Sequence, residues 1–139
     1  MGTSFEEKSV WIQLAAMVLG LGTYFVLAWS LLTSGVREMT AFAAVFLVAT
    51  VFMVMVLSAG HIVAALASRP EGRDERDRLI SWRSEHNSSW VVAAGVCGAV
   101  ACMVLRVENV WTVNLLLLSL ALSEVLGFIL RLVYYRRGV

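Results

Sequence analysis

The chain has 139 residues, of which 60% are hydrophobic and 15% are charged, and its formal net charge is +1. Soluble domains are about 45–50% apolar and about 25% charged, so this composition, with a mean hydropathy of +0.81, excludes a soluble globule, a disordered chain and a nucleic-acid-binding protein. Two cysteines are too few for a disulfide scaffold, and the composition indicates an integral membrane protein.

Four segments are long and apolar enough to cross a bilayer as helices, because about 20 residues at about 1.5 Å each span the hydrocarbon core. A backbone in lipid must satisfy its own hydrogen bonds, and a helix does so. The strict alternation of β-barrel strands is missing. We therefore predict an all-α polytopic membrane protein, a four-transmembrane-helix bundle in one membrane domain, with spans at about residues 10–33, 40–67, 89–105 and 110–134.

The polar segment at residues 68–88 is predicted to be a cytoplasmic loop. Opposite charges four residues apart, such as those of Asp74 and Arg78, favour a helix that either lies on the membrane or extends the third span inward. Mixed charges are typical of a solvated face. Alternatively, residues 73–86 bind a cytoplasmic protein or lipid headgroups. The candidate contact residues are Arg76, Asp77, Arg78 and Trp82.

Small residues recur at four-residue spacing in three spans, a pattern that lets helices approach closely in lipid. The packing could lie within one bundle or between subunits, and we expect a homo-oligomer. Cys97 and Cys102 point about 140° apart on a helix, which indicates packing residues rather than a redox or metal pair. The stripes are Ala16 and Gly20; Gly60 and Ala64; Ala93, Cys97 and Ala101; and Ala94, Gly98 and Cys102.

The distribution of Lys and Arg predicts the orientation, because positive charge is retained on the cytoplasmic side. With four spans, both termini and the middle loop share one side. That side carries nine basic residues, and the other carries only Arg37 and Arg106. We therefore expect both termini in the cytoplasm and the chain in a bacterial inner (cytoplasmic) membrane, in contact with its lipids.

Glu124 is the most informative polar residue, because it lies near the middle of the fourth span, where an ionised carboxylate costs about 2.5 kcal/mol or more. Arg131 is two turns further along the same face and could pair with Glu124 or reach the headgroups. His61 and Gln13 are expected in the same half of the bundle. These four residues form either a proton- or ion-coupling cluster or a structural network.

The two histidines, His61 and His86, lie near the cytoplasmic boundary and could in principle clamp a haem iron. His86 is in the polar segment, and the methionines are scattered over helix faces as packing residues. We therefore expect no cofactor and no metal site.

The run Asp74-Glu75-Arg76-Asp77-Arg78-Leu79-Ile80, then Arg83-Ser84-Glu85, resembles an uncharacterised family of small prokaryotic four-helix integral membrane proteins. The end of the chain is also similar, with Asn114, a leucine run, Glu124 and residues 131–138. The resemblance covers the C-terminal half of the chain. It implies four spans in a bacterial or archaeal cytoplasmic membrane, and it implies no activity.

Two functions compete. The first is a non-enzymatic membrane component that senses, scaffolds or regulates through its charged cytoplasmic segment. The second is a small oligomeric proton-coupled transporter or channel that uses Glu124, similar in layout to the small multidrug-resistance transporters, although those carry their acid in the first helix. No Ser-His-Asp set, Gly-rich phosphate loop or zinc motif indicates a membrane enzyme, and the sequence favours the first function.

Overall fold

A computed structural model describes residues 5–67 and 74–137 of the chain. It contains four α-helices: α1 at Phe5–Thr33, α2 at Met39–Ala67, α3 at Glu75–Val104 and α4 at Asn109–Arg137. Each is long and apolar enough to cross a membrane. The expected all-α architecture of four long apolar helices is thus confirmed.

Large apolar side chains point outward along the helices. Leu47, Leu66 and Val26 are each more than 60% exposed, and α2 is the least buried of the four helices. Water would penalise such a surface, whereas lipid tails accept it. The outer surface therefore has the composition of a lipid-facing surface.

Helix α3 starts well before the predicted third span. The first residues of the predicted loop, 68–73, lie outside the described residues, but the helix begins at Glu75 and continues unbroken to Val104. Asp74 is its N-cap, and Asp77 completes a capping box in which its carboxylate accepts the backbone N–H of Asp74. Of the two helical placements left open by the sequence, the structure therefore has the one in which this segment is continuous with the third span.

The chain is organised as two antiparallel hairpins. In the first, Gly20 of α1 lies against Met53 of α2, and Ile12 lies against Gly60. In the second, α3 packs along α4, and α1 packs on α4 to join the hairpins. All neighbouring helices run antiparallel, so α1 and α3 begin, and α2 and α4 end, at one common end of the bundle. We call it the charged end, and we call the opposite end the turn end.

The two turns at the turn end are tied together by charge. Gly35, with a φ of 81°, closes α1, and Arg106, with a φ of 55°, occupies the same left-handed region after α3. Arg37 Nε lies 3.2 Å from Glu108 Oε2 and its guanidinium stands over the Trp111 ring. This exposed ion pair is one of the contacts between the two hairpins.

Two buried contacts connect the hairpins deeper in the bundle. The Tyr24 hydroxyl donates a 3.0 Å hydrogen bond to Asn114 Oδ1, which links α1 to α4. Tyr24 also belongs to a buried apolar cluster with Ala28, Phe42 and Val110, which joins α1, α2 and α4. This apolar cluster lies towards the turn end, while Val10, Ile80 and Leu132 are buried nearer the charged end.

Candidate functional site: a polar groove at the charged end

A groove of about 420 Å³ opens between α1, α3 and α4 in the half of the bundle nearer the charged end. This size falls within the range of about 300–1,000 Å³ typical of small-molecule sites. Seven of its ten lining residues have polar side chains, in contrast to the outer surface of the helices. The lining residues are Gln13, Glu85, Ser88, Ser89, Val92, Ser123, Glu124, Gly127, Phe128 and Arg131.

The antiparallel packing of α1 on α4 explains why Gln13 and Glu124 meet in this groove. Tyr24 is hydrogen-bonded to Asn114. Moving about ten residues from this bond towards the charged end reaches Gln13 on α1 and Glu124 on α4. Both helices rise about 1.5 Å per residue, so the two side chains come to the same level.

Glu124 is exposed to the groove and has no hydrogen bond or ion pair to any other residue among those the structure describes. It lies 13 residues before Arg137, the last residue of α4, which corresponds to about 20 Å of helix. The Glu124 carboxylate therefore lies in the inner part of the groove, and no cation of the described residues is paired with it.

Arg131 pairs with Glu85 of α3 and not with Glu124, contrary to one of the two expectations from its sequence spacing. Its Nη2 lies 2.7 Å from Glu85 Oε1, and its Nε donates to Ser84 Oγ at 3.4 Å. The guanidinium also stands over the ring of Phe128. Because the N-terminal extension of α3 carries Glu85 alongside α4, Arg131 forms its ion pair with a residue of the neighbouring helix.

His61 lies outside the groove and contacts α1. Its Nδ1 is 2.9 Å from the carbonyl oxygen of Leu57, which can only accept, so Nδ1 carries a proton. Its Nε2 is 3.1 Å from Ser9 Oγ, and Gln13 Nε2 donates to the same hydroxyl at 3.4 Å. Among the described residues, the hydrogen bonds of His61 lead to the groove through Ser9 and Gln13.

The predicted four-residue cluster is consequently divided. Gln13, Glu124 and Arg131 line one groove, whereas His61 belongs to a hydrogen-bonded row of three side chains between α1 and α2. Gln13 is the residue common to both groups. The arrangement offers a carboxylate, an amide and hydroxyls to a small ligand.

His86 lies on α3, on the part that precedes the predicted span, and its ring stacks on Trp82 with centroids 5.8 Å apart. Helices α2 and α3, which carry the two histidines, do not pack along each other. Within residues 5–67 and 74–137, no group of three or more His, Cys, Asp or Glu side chains gathers as metal ligands would.

The charged N-terminal part of α3 packs against α4 through polar and cation–π contacts. Asn87 Nδ2 donates to the Tyr134 hydroxyl at 2.8 Å, and the Arg83 guanidinium stands over the Tyr134 ring. Trp82 is 68% exposed, and Arg76 and Arg78 are exposed as well. Asp77, by contrast, is occupied in the capping box.

The contact between α3 and α4 uses small residues other than those expected from the sequence. Ala93, Cys97 and Ala101 are all exposed, so that stripe is not buried within the bundle. The expected stripe of Ala94, Gly98 and Cys102 contributes only partly, because Ala94 is exposed while Gly98 lies against Leu115. The residues of α3 buried against neighbours are instead Ile80, Ser84, Ser88, Gly95 and Ala99.

The sequence analysis did not single out the serines at the contact between α3 and α4. Ser123 Oγ donates to the carbonyl oxygen of Ser88 at 2.9 Å across the α3–α4 contact, in the wall of the groove. Ser84, also buried, reaches Arg131. The four-residue spacing of Ser84 and Ser88 is the sequence signal for this face of α3. Glu85 is the residue that follows Ser84, so the same signal points to it.

Comparison with known protein families, with characterised proteins and with solved structures gives no match to this chain. The resemblance of its C-terminal half to a family of small prokaryotic membrane proteins stays a prediction of the sequence.

Proposed function

We propose that the chain is a multi-pass protein of the cytoplasmic membrane, with both ends in the cytoplasm, that acts without catalysis as a sensing, scaffolding or regulatory component. The observation that carries this proposal is the continuity of α3, which extends the third span into a charged helix fastened to α4. Such a helix presents a fixed surface rather than a flexible loop.

The exposed side chains on this extension are the contact residues of the proposal. Arg76 and Arg78 offer charge, and Trp82 offers a large, rigid apolar ring. Tryptophan and arginine are the side chains that most often dominate binding energy at protein interfaces. Asp77 contributes indirectly, because it holds the start of the helix.

A photoreactive amino acid at position 82 tests this proposal in cells. We expect it to cross-link a discrete protein, and we expect the cross-link to disappear when Arg76 and Arg78 are both replaced by serine. Position 29 is the matched control, since Trp29 is similarly exposed but lies near the turn end. The same cross-linked species at both positions, or none at position 82 in a folded chain, would contradict the proposal.

One observation favours a second candidate function, a small proton-coupled transporter or channel. Glu124 is an unpaired carboxylate in a polar groove deep in a span, and intramembrane acids of this kind mark ion and proton pathways. The test is proton flux into liposomes under a pH gradient. Loss of flux in Glu124→Gln but not in Glu38→Gln, at the turn end, would support coupling at Glu124, and equal flux in all three proteins would exclude it.

A further inference from the structure

The groove at the charged end has an electrostatic preference that follows from its lining. Three charged side chains line it: Glu85, Glu124 and Arg131. Arg131 and Glu85 neutralise each other at 2.7 Å. One negative charge is therefore left, on Glu124.

The volume and the lining of the groove restrict the kind of ligand that it can hold. At about 420 Å³ it far exceeds the roughly 30 Å³ of a water molecule, so a bare metal ion would not fill it. Phe128 and Val92 provide an apolar wall, and the Phe128 ring already carries the Arg131 guanidinium over it. Ser89 and Gln13 add hydrogen-bonding groups near Glu124.

We propose that this groove is a binding site for a small organic cation, an ammonium or guanidinium group with an apolar body, whose charge pairs with Glu124. The cation would replace the missing partner of the carboxylate, and its apolar body would lie against Phe128 and Val92. An unpaired carboxylate at this depth is costly, and a bound cation offsets that cost.

The site is independent of the docking surface proposed above. It names a ligand class for the second candidate function, and it rests on that function only because both use Glu124. Binding is measured without a gradient. A protein that binds the cation but moves no protons would keep this inference and remove the transport candidate.

The probe is benzylammonium, titrated calorimetrically into the full chain in phosphatidylcholine nanodiscs, with benzyl alcohol as its neutral counterpart. We expect saturable binding of benzylammonium only, weakened at least tenfold by Glu124→Gln. Because Glu124 makes no hydrogen bond or ion pair to other described residues, this variant should keep its fold. Glu38→Gln, at the turn end, is the matched control and should bind like the wild type.

Three further variants alter the charge of the groove in a predictable order. Arg131→Gln leaves two negative charges and should tighten binding by roughly three- to tenfold, whereas Glu85→Gln leaves none in excess and should weaken it similarly. The double variant restores a single negative charge and should return to the wild-type affinity. Val92→Phe fills the groove without changing its charge and should weaken binding.

The ammonium group could come from a free amine or from an aminophospholipid headgroup. Nanodiscs containing phosphatidylethanolamine distinguish these sources: competition with the probe assigns the groove to the lipid headgroup, and unchanged probe affinity assigns it to a free amine. Equal affinity of the wild type and Glu124→Gln, or equal binding of benzyl alcohol, would overturn the proposal.

Discussion

At the scale of single residues, the pairing of Arg131 decides the character of the groove. Its side chain is only 13% exposed, while that of Glu85 is 67% exposed. A buried cation with an exposed partner gains moderately from the ion pair, since water screens the carboxylate. The contact nevertheless leaves Glu124 uncompensated, and this residual charge is the basis of the proposed ligand chemistry.

The energy of this pair can be measured with a double-mutant cycle. Arg131→Gln should lower the free energy of unfolding by about 1–2 kcal/mol, because it also loses Ser84 and Phe128. Glu85→Gln should cost less, and we expect a coupling energy of about 0.5–1 kcal/mol. Thermal unfolding in detergent gives the four values, and a coupling of zero would show that the pair does not act as a unit.

The sequence identified Gln13, Glu124 and Arg131 of the groove, but neither its serines nor the pairing of Arg131. Glu124 and Arg131 could be singled out because charges are rare in apolar spans. Their spacing suggested a contact along one helix face, whereas the actual partner of Arg131 comes from another helix. A contact across helices depends on the register of α3 against α4, and single-sequence periodicity does not specify that register.

At the scale of helices, the start of α3 depends on its capping box. Asp74 Oδ1 accepts the backbone N–H of Glu75, and Asp77 Oδ2 accepts that of Asp74 at 3.1 Å. Opposite charges at four-residue spacing predicted a helix here, and this is confirmed. The cap itself was readable in the sequence, since an acidic residue three positions after an N-cap Asp is a variant of the capping-box pattern.

Asp77→Ala should therefore fray the first turns of α3 and leave the rest of the bundle intact. Loss of a cap costs about 0.5–2 kcal/mol, and it lowers the free energy of local opening at the start of the helix. We expect faster amide hydrogen exchange over residues 75–80 and unchanged exchange in α1. Glu75→Ala is the control, because it removes the same charge from the same turn without touching the cap; equal acceleration in both variants would contradict this assignment.

The contact between α3 and α4 requires glycine at position 95. A Cβ atom added there would collide with the Ser119 side chain. Gly95→Ala should therefore push the helices apart and lower the free energy of unfolding by about 1–3 kcal/mol. Gly22→Ala, where a Cβ would meet nothing within 4 Å, should instead be neutral or stabilising.

A compensating change provides the stricter test of that collision. In the double variant Gly95→Ala with Ser119→Gly, the obstructing side chain is removed, so most of the lost stability should return. Unfolding midpoints in detergent measure this recovery. If the stability is not recovered, glycine is required at position 95 for a reason other than the collision with Ser119.

At the scale of the whole molecule, the four long apolar helices were the part most readily predicted, because span length and apolarity are local properties. The packing of the hairpins was not predictable, since apolar residues cover nearly every face of these helices and no stripe marks the contact. Self-association, expected from the small residues of the third span, stays a prediction.

The orientation gives a whole-molecule prediction. Among the residues that the structure describes, seven basic residues belong to the half of the bundle nearer the charged end and two to the turn end. Alkaline phosphatase, which is active only outside the cytoplasm, should be active when fused after residue 36 or 107 and inactive when fused after residue 137. A green fluorescent protein fusion after residue 137 should fluoresce. The reverse pattern would place the charged end outside the cytoplasm.

The two-hairpin construction has a consequence for how the chain is made. Each hairpin has its own close helix contacts, with Gly20 on Met53 in one and Gly95 on Ser119 in the other. During synthesis, the first pair can therefore settle in the membrane before the second has left the ribosome. Two separately translated halves, residues 1–67 and 74–139, should then associate when co-expressed, and they should copurify through the contacts between the two hairpins.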